Sequence, residues 1–543
     1  MHTQTAPAPS HALRAVVLGR TLAALEAGRF ASAETEISSW AAHKPADIAA
    51  TLLLGLAVAA RGEALQAAPL LQAVARARPE FAHPCRDLAR LCPADPALVA
   101  AQFRACRALA PDDAKLAYAY ADFLLDDGRA AAAASVLRGV LADALAFGIA
   151  HNLFGMALFD LGDIAGAIAA FRRASELDPN EGAPWANLGM ALKVEGRFDA
   201  ALDACNRAVA CAPGDPRIRL NRAVALLRAG RMAAAWPDYE ARLSIGERGP
   251  RLPVERLLPT VAGLDLSGRT VLVCHEEGFG DTLQFARYVG LLAARGARVL
   301  VWAPAELTRL LATLEGVAGL VTGPDALPPY DWHCPFFSLP RAFATALDSI
   351  PAAPAYLHAD PVLVAEWAAR LPRRTTDLRV GLVWAGQARP WLANFMALDQ
   401  RRSAGLPSFA PLGTVAGCVF TSLQKGPPAA QARCPPPGMA LHDPMGDAAD
   451  FADTAAIVAN LDVVVSVDTA VVHLAAAMGT PVLLLDRYDS CWRWLSGRED
   501  SPWYPSLRIL RQPVSFDWAT VMDRAASALA RMADARARGH AVV

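Results

Sequence analysis

The chain is poor in the features that would tie it to a metal, a membrane or the secretory route. Its ten cysteines are scattered over 543 residues, with no CxxC pair and no Cys/His cluster at zinc spacing. That distribution argues against a disulfide framework and a zinc finger, and points to reduced thiols in a cytoplasmic protein. Charge of one sign is lacking too. The formal net charge is -1, so no general field attracts nucleic acid or an anionic membrane, and no nucleic-acid partner is expected. Arg14 and Arg20 interrupt the first apolar stretch, so no secretory signal is expected there. The longest apolar run, residues 461–485, holds Asp462, Asp468 and His473. A membrane-spanning helix tolerates these poorly, so the run is expected to be a buried strand–helix–strand, with no transmembrane segment.

What the chain does have is hydrophobic residues, 54% of the total. That is ample for folding, and the length calls for two to four domains. Residues 48–249 repeat. Gly128, Gly162, Gly196 and Gly230 follow one another at a 34-residue step. The same step links Gly155 to Gly189, Pro179 to Pro213, and Ala133, Ala167, Ala201 and Ala235 in succession. Gly55, Gly62, Ala67 and Pro79 hold matching offsets upstream, and the register slips near Pro93. Small residues recurring at this period imply stacked helix pairs, with glycine and alanine letting the helices of a pair approach and proline ending the second. "APWANLGMALKVEGRFDAALDACNRAVACAPGDP" resembles a tetratricopeptide repeat. Residues 1–47 are expected to form a helical cap. Such a solenoid offers a concave surface to a protein or peptide, or merely caps and orients the domain that follows.

From residue 265 the texture changes. "TVLVCHE", "RVLVWAP", "RVGLVWAG", "VFTSLQKG", "LDVVVSVD" and "PVLLLDR" read as buried parallel strands between helical stretches. They fall into two groups, 265–370 and 378–530, on either side of "RLPRRTTDLR". Two doubly wound α/β halves with a cleft between them are the economical fold. Ligands of such sheets bind at the carboxyl ends of strands, where three loops carry polar residues. The first is "EEGFGD", with Glu277, Gly278, Gly280 and Asp281. Its glycines permit a tight turn and close ligand approach, and Asp281 is either a site carboxylate or an N-cap. The second holds Asp468, Thr469 and His473, either a phosphate site at a helix N-terminus or a cap with a packed histidine. The third is "SLQKG", where Gln424 and Lys425 either hold a diphosphate or sit in a solvated loop.

The Gly-Phe-Gly-Asp loop, "WAG", "SLQKG", "DFADTAAIVANLDVVVSVDTAVVHLAAAMGTPV" and "WRWLSGREDSPWYPSLRILRQ" together resemble bacterial tetratricopeptide-repeat glycosyltransferases. The catalytic part of that family is similar to the heptosyltransferase-like branch of the GT-B fold, and distantly to protein O-GlcNAc transferase. The resemblance covers residues 50–530. It implies a tetratricopeptide α-solenoid followed by a GT-B fold of two Rossmann-like α/β halves, the first (265–370) on the acceptor side and the second (378–530) binding a nucleotide sugar. It further implies inverting transfer without a metal, no DxD-type acidic pair being evident near the donor strands. Asp281 would be the base, Glu277, Gly278 and Gly280 its acceptor-side loop, and Gln424, Lys425, Asp468, Thr469 and His473 the donor site. The family has Asn-Pro and a His after its "WxG"; this chain reads "WAGQARPWLANFMALDQRRSAGLP", in which Asp399, Arg401, Arg402 and Ser403 match the tail of that motif. Three functions stay open: protein glycosylation with the acceptor docked by the repeats (flagellin in some similar proteins), assembly of surface polysaccharide or lipopolysaccharide, and a non-catalytic scaffold. A homo-oligomer stays open as well.

Overall fold

A computed structural model describes residues 11–61, 63–77, 114–143, 147–245, 252–323, 327–372, 377–387 and 399–540. The sequence readings on Gly62, Pro79, Pro93 and residues 388–398 lie outside them. The chain divides into two compact units, Met1–Asp178 and Pro179–Val543.

In the first unit, helices run over His11–Glu26, Phe30–His43, Ile48–Ala60 and Ala64–Ala77, and again over Ala114–Asp126, Ala130–Asp143, Gly148–Asp160 and Ile164–Leu177. The second unit opens with Gly182–Val194, Phe198–Cys211, Pro216–Arg228 and Met232–Tyr239. The recurring glycines serve two separate needs. Gly155 and Gly189 lie inside helices, where an added Cβ would come within 2.6 Å of Phe171 and 2.5 Å of the Cys205 sulfur, so they do allow close helix contact. Gly128, Gly162, Gly196 and Gly230 have φ of 72°, 82°, 79° and 74°. They end the first helix of each pair in a left-handed turn, which is a backbone requirement and not the packing one inferred for them from the period. Ala133, Ala167, Ala201 and Ala235 are fully buried, as the close approach of helices demands.

Two parallel sheets follow. The first contains β1 (Thr270–Cys274), β2 (Arg298–Trp302), β3 (Val317–Val321) and β4 (Trp332–Pro335), in the order β3-β2-β1-β4. The second contains β5 (Leu378–Val383), β6 (Cys418–Ser422), β7 (Leu441–His442), β8 (Val463–Val467), β9 (Val482–Asp486) and β10 (Leu507–Arg511), in the order β10-β9-β8-β5-β6-β7. Strand order reverses between β1 and β4 in one sheet and between β5 and β8 in the other. Crevices open at such switch points, so the loops after these four strands are the places to look for a site.

The last repeat does not end where the sheets begin. One apolar core runs from Leu227 and Trp236 through Val271 and Phe337 to Trp492 and Trp503. Trp236 meets Trp492 edge to face with centroids 6.0 Å apart, and its indole N–H donates to the Thr345 carbonyl at 2.7 Å. Truncating a buried tryptophan of this kind costs about 3–5 kcal/mol. Beside it, Arg242 is buried. Its guanidinium donates to both Glu276 oxygens at 2.8 and 3.1 Å, to Glu240 at 2.7 Å and to the Ser338 hydroxyl at 2.8 Å. Glu276 stands in the loop after β1 and Ser338 in the loop after β4, so the last repeat is bonded directly to the first switch point.

Candidate active site

The loop after β1 splits its paired carboxylates. Glu276 turns inward to Arg242 and also accepts the Phe337 amide at 3.2 Å; Glu277 is exposed. The helix Phe279–Phe285 then begins with Gly278 as its N-cap. Asp281 is therefore the third helical residue, not the N-cap, and its Oδ2 accepts the Gly278 amide at 3.0 Å. The other oxygen, Oδ1, accepts from Arg493 Nη2 at 2.5 Å. The Asp281 side chain keeps 21% of its surface exposed. Loss of water pushes its carboxyl up to about 6, against the pull of Arg493; Glu277 and Asp468 add to the rise and the Gly278 amide opposes it.

The loop after β8 comes to the same place. Thr469 starts the helix Ala470–Ala477 without a side-chain cap bond, its hydroxyl pairing instead with that of Ser466 at 3.1 Å. Asp468, half-buried, lies near enough to act on the charges of Asp281, Asp486 and Arg487. Gly280 is one point of contact between the halves. A Cβ there would sit 2.8 Å from His473 Cδ2 and 3.3 Å from the Ala470 Cα, so glycine lets two helix N-termini meet. The close approach expected of this glycine is to protein, not to a ligand.

Two of the expected donor residues are engaged by the protein itself. His473 is 4% exposed, stacks on Trp494 at 5.4 Å and bonds Tyr504 OH through Nδ1 at 2.9 Å. Burial, with Arg493 and Arg287 near, holds its imidazole well below the usual range. It is a neutral packed histidine. Gln424 is saturated: Oε1 accepts the Trp384 and Ala385 amides at 3.0 and 2.9 Å, and Nε2 donates to the Ala385 and Lys425 carbonyls at 3.0 and 2.9 Å. An amide has two donors and two acceptor positions, so none remains for a ligand. Gln424 shapes the loop after β5.

Lys425 is exposed, with its ammonium on the Ala448 carbonyl. That carbonyl precedes the helix Phe451–Val458, whose Phe451 meets Phe279 edge-on at 5.3 Å. Arg402 lies flat against Gly386, pairs with Asp399 at 2.8 Å and donates to the Gln387 carbonyl; Arg401 pairs with Asp489. The structure thus brings the loop of Gly278, Gly280 and Asp281 against the start of the helix after Asp468 and Thr469, with His473 packed beside Gly280. Lys425 sits on the loop after β6, and Gln424 ties that loop to the one after β5.

Sequence reasoning missed Arg493 and Arg242. An arginine between two tryptophans in "WRW" is itself a signal, because a cation set in an apolar run needs a buried partner. Glu240 beside Arg242 is no signal of burial, and its other side-chain partners lie 34 and 96 residues away.

Two family models match parts of the chain. Residues 152–216 match the family model for tetratricopeptide repeats, and residues 448–511 that for glycosyltransferase family 9 (heptosyltransferase). The class is a tetratricopeptide-repeat protein carrying a glycosyltransferase family 9 domain. Among individual proteins, the chain is similar to Protein FlbA of Caulobacter vibrioides, 28% identical over 465 residues that cover 80% of this chain and 76% of FlbA. Two solved structures overlap with it in part. One is the glycosyl transferase family 9 protein of Veillonella parvula (10% identity, 46% of this chain and 87% of that one, TM-score 0.35). The other is MamA of Desulfovibrio magneticus (16% identity, 31% and 97%, TM-score 0.27). Among the described residues no helix is long and apolar enough to cross a membrane.

Proposed function

We propose that the chain transfers a sugar, with inversion, from a nucleotide-sugar donor to a hydroxyl of a protein that the repeats dock. One observation carries this reading: a partly exposed carboxylate in the first turn of the helix after β1, Asp281, follows Gly280, which lies against the helix N-terminus after β8. A base and an anion site on opposite halves of one cleft are what displacement at an anomeric carbon requires. The acceptor oxygen bonds to the anomeric carbon as the bond to the leaving phosphate oxygen breaks, and Asp281 takes the hydroxyl proton. Each Asp281 oxygen spends one lone pair on the protein and keeps another for that proton. The amino end of Ala470–Ala477 and the Lys425 ammonium would stabilise the departing negative charge, so no metal is invoked. Glu277, exposed beside the base, would face the acceptor. Cys274 and Cys334 remain free thiols on adjacent strands, which fits a reducing cytoplasm.

Thermal-shift screening of nucleoside-diphosphate sugars would identify the donor, since a ligand at about a hundredfold its Kd stabilises by about 2.7 kcal/mol. Asp281→Asn keeps the shape and the bond to Gly278. It should bind that donor normally and lose about a hundredfold or more in nucleotide release. A folded Asp281→Asn protein with parental turnover removes the base from this scheme.

A further inference from the structure

Arg493 has no role in the scheme above, yet it bonds directly to the carboxylate at its centre. It lies on the turn Trp492–Trp494 after β9 and is 8% exposed. It reaches back to the helix Phe279–Phe285, giving Nη2 to Asp281 at 2.5 Å and Nε to the Gln284 side-chain oxygen at 2.5 Å. Its third nitrogen, Nη1, faces the Cys491 sulfur at 3.0 Å. The guanidinium lies 5.3 Å from the Phe337 ring centre and 4.7 Å from that of Trp492.

The turn is held from both sides. Trp492 packs on Trp236 and Tyr239 of the last repeat, and Trp494 stacks on His473. The next residue, Leu495, has φ 51°, a left-handed conformation that a leucine adopts only when its surroundings impose it. A guanidinium fixed in this way directs its fork and does not follow its partner.

Building on the base reading for Asp281, we infer that Arg493 is its positioning residue: it holds the carboxylate ionised and fixes the direction of its free lone pairs. The groups around the pair are unequal. Glu277 and Asp468 are like charges that oppose ionisation of Asp281; the Tyr239 phenol from the last repeat is close enough to feel its charge, and the His473 ring is close enough to feel that of Arg493; Arg493 is the cation that bonds Asp281. Removing that cation leaves Asp281 among carboxylates, so its proton should bind more tightly.

The test compares Arg493→Gln and Arg493→Lys with the parent and Asp281→Asn, in the full chain. One readout is nucleotide release from the donor that the screen identifies. An opposite charge at this distance typically lowers a carboxylate by about one to three pH units. The acid limb of kcat in Arg493→Gln should therefore move up by about that much, with KM for donor little changed. The deficit should narrow as pH rises. Arg493→Lys, which keeps the charge but not the fork, should restore the limb and only part of the rate. A merely structural arginine would lower the rate equally at every pH. The second readout needs no activity: in a denaturation cycle of Arg493→Gln and Asp281→Asn, the two losses should be strongly non-additive. An unmoved acid limb together with additive stability losses overturns the assignment. If Asp281→Asn keeps parental turnover, the base reading fails by itself, and the cycle alone then decides whether Arg493 holds that carboxylate.

Discussion

Replacing Arg242 by methionine should separate a repeat array that merely precedes a catalytic domain from one that is part of its core. Methionine restores much of the buried length but none of the five hydrogen bonds that Arg242 donates to Glu276 (two), Glu240, Ser338 and the Tyr239 carbonyl. The Glu276 side chain is 3% exposed and would be left without its cation. Breaking a buried pair from one side costs about 3–5 kcal/mol, because the orphaned charge keeps its desolvation. Removing both charges, Arg242→Met with Glu276→Gln, should recover more than half of that loss. The pH dependence has a definite sign. Burial already raises the Glu276 carboxyl above its ordinary value, with Arg242 opposing the rise, and without Arg242 it rises further. A carboxyl raised on folding favours the folded state when protonated and loses that benefit as pH climbs through the folded pKa. The difference between variant and parent should therefore be larger at pH 8 than at pH 5. Urea unfolding followed by tryptophan fluorescence reports it, since Trp236, Trp492, Trp494 and Trp503 are buried in this core. A loss below about 1 kcal/mol, or one that grows as pH falls, would refute the reasoning.

Gln424→Leu should lower stability by about 2–4 kcal/mol by orphaning two amides and two carbonyls of the loops after β5 and β6, while donor affinity of the folded fraction changes little; calorimetry and a binding titration check both, and weaker binding with unchanged melting would return Gln424 to the donor site. Lys425→Ala should weaken donor binding or slow transfer by about 1.5–3 kcal/mol with melting unaffected, and equal affinity and rate would remove Lys425 from the site.

The repeats were legible because one period was printed twice, once by glycines that helices must pack on and once by glycines that turns must bend at; the sequence cannot tell these uses apart, since both ask only for the missing Cβ. Six strands stood out as apolar runs. β3, β4, β7 and β10 did not, because "VAGLV", "WHCP", "LH" and "LRILR" are short or broken by glycine, proline or charge. The candidate loops were found because they follow strands, but their side chains could not be sorted. Gln424 and His473 look like ligand contacts in sequence and bond to protein in the structure, because only the fold reveals which backbone amides and rings they face. Arg493 is the opposite case. Its value lies in a carboxylate 212 residues away, and separation on that scale leaves no local pattern.

The seating of Trp236 and Arg242 in the transferase core also bears on how such a gene can change. Whole repeats added or lost in the first unit, Met1–Asp178, leave every partner of Trp236 and Arg242 untouched, so the array can lengthen or shorten there. The final helix pair has no such freedom. A recombination that imported a foreign repeat at residues 216–244 would bring a new residue against Glu276, Thr345 and Trp492 at once. Exchange of docking specificity should therefore cross over upstream of Pro216, and substitutions at the junction should be inherited with the transferase.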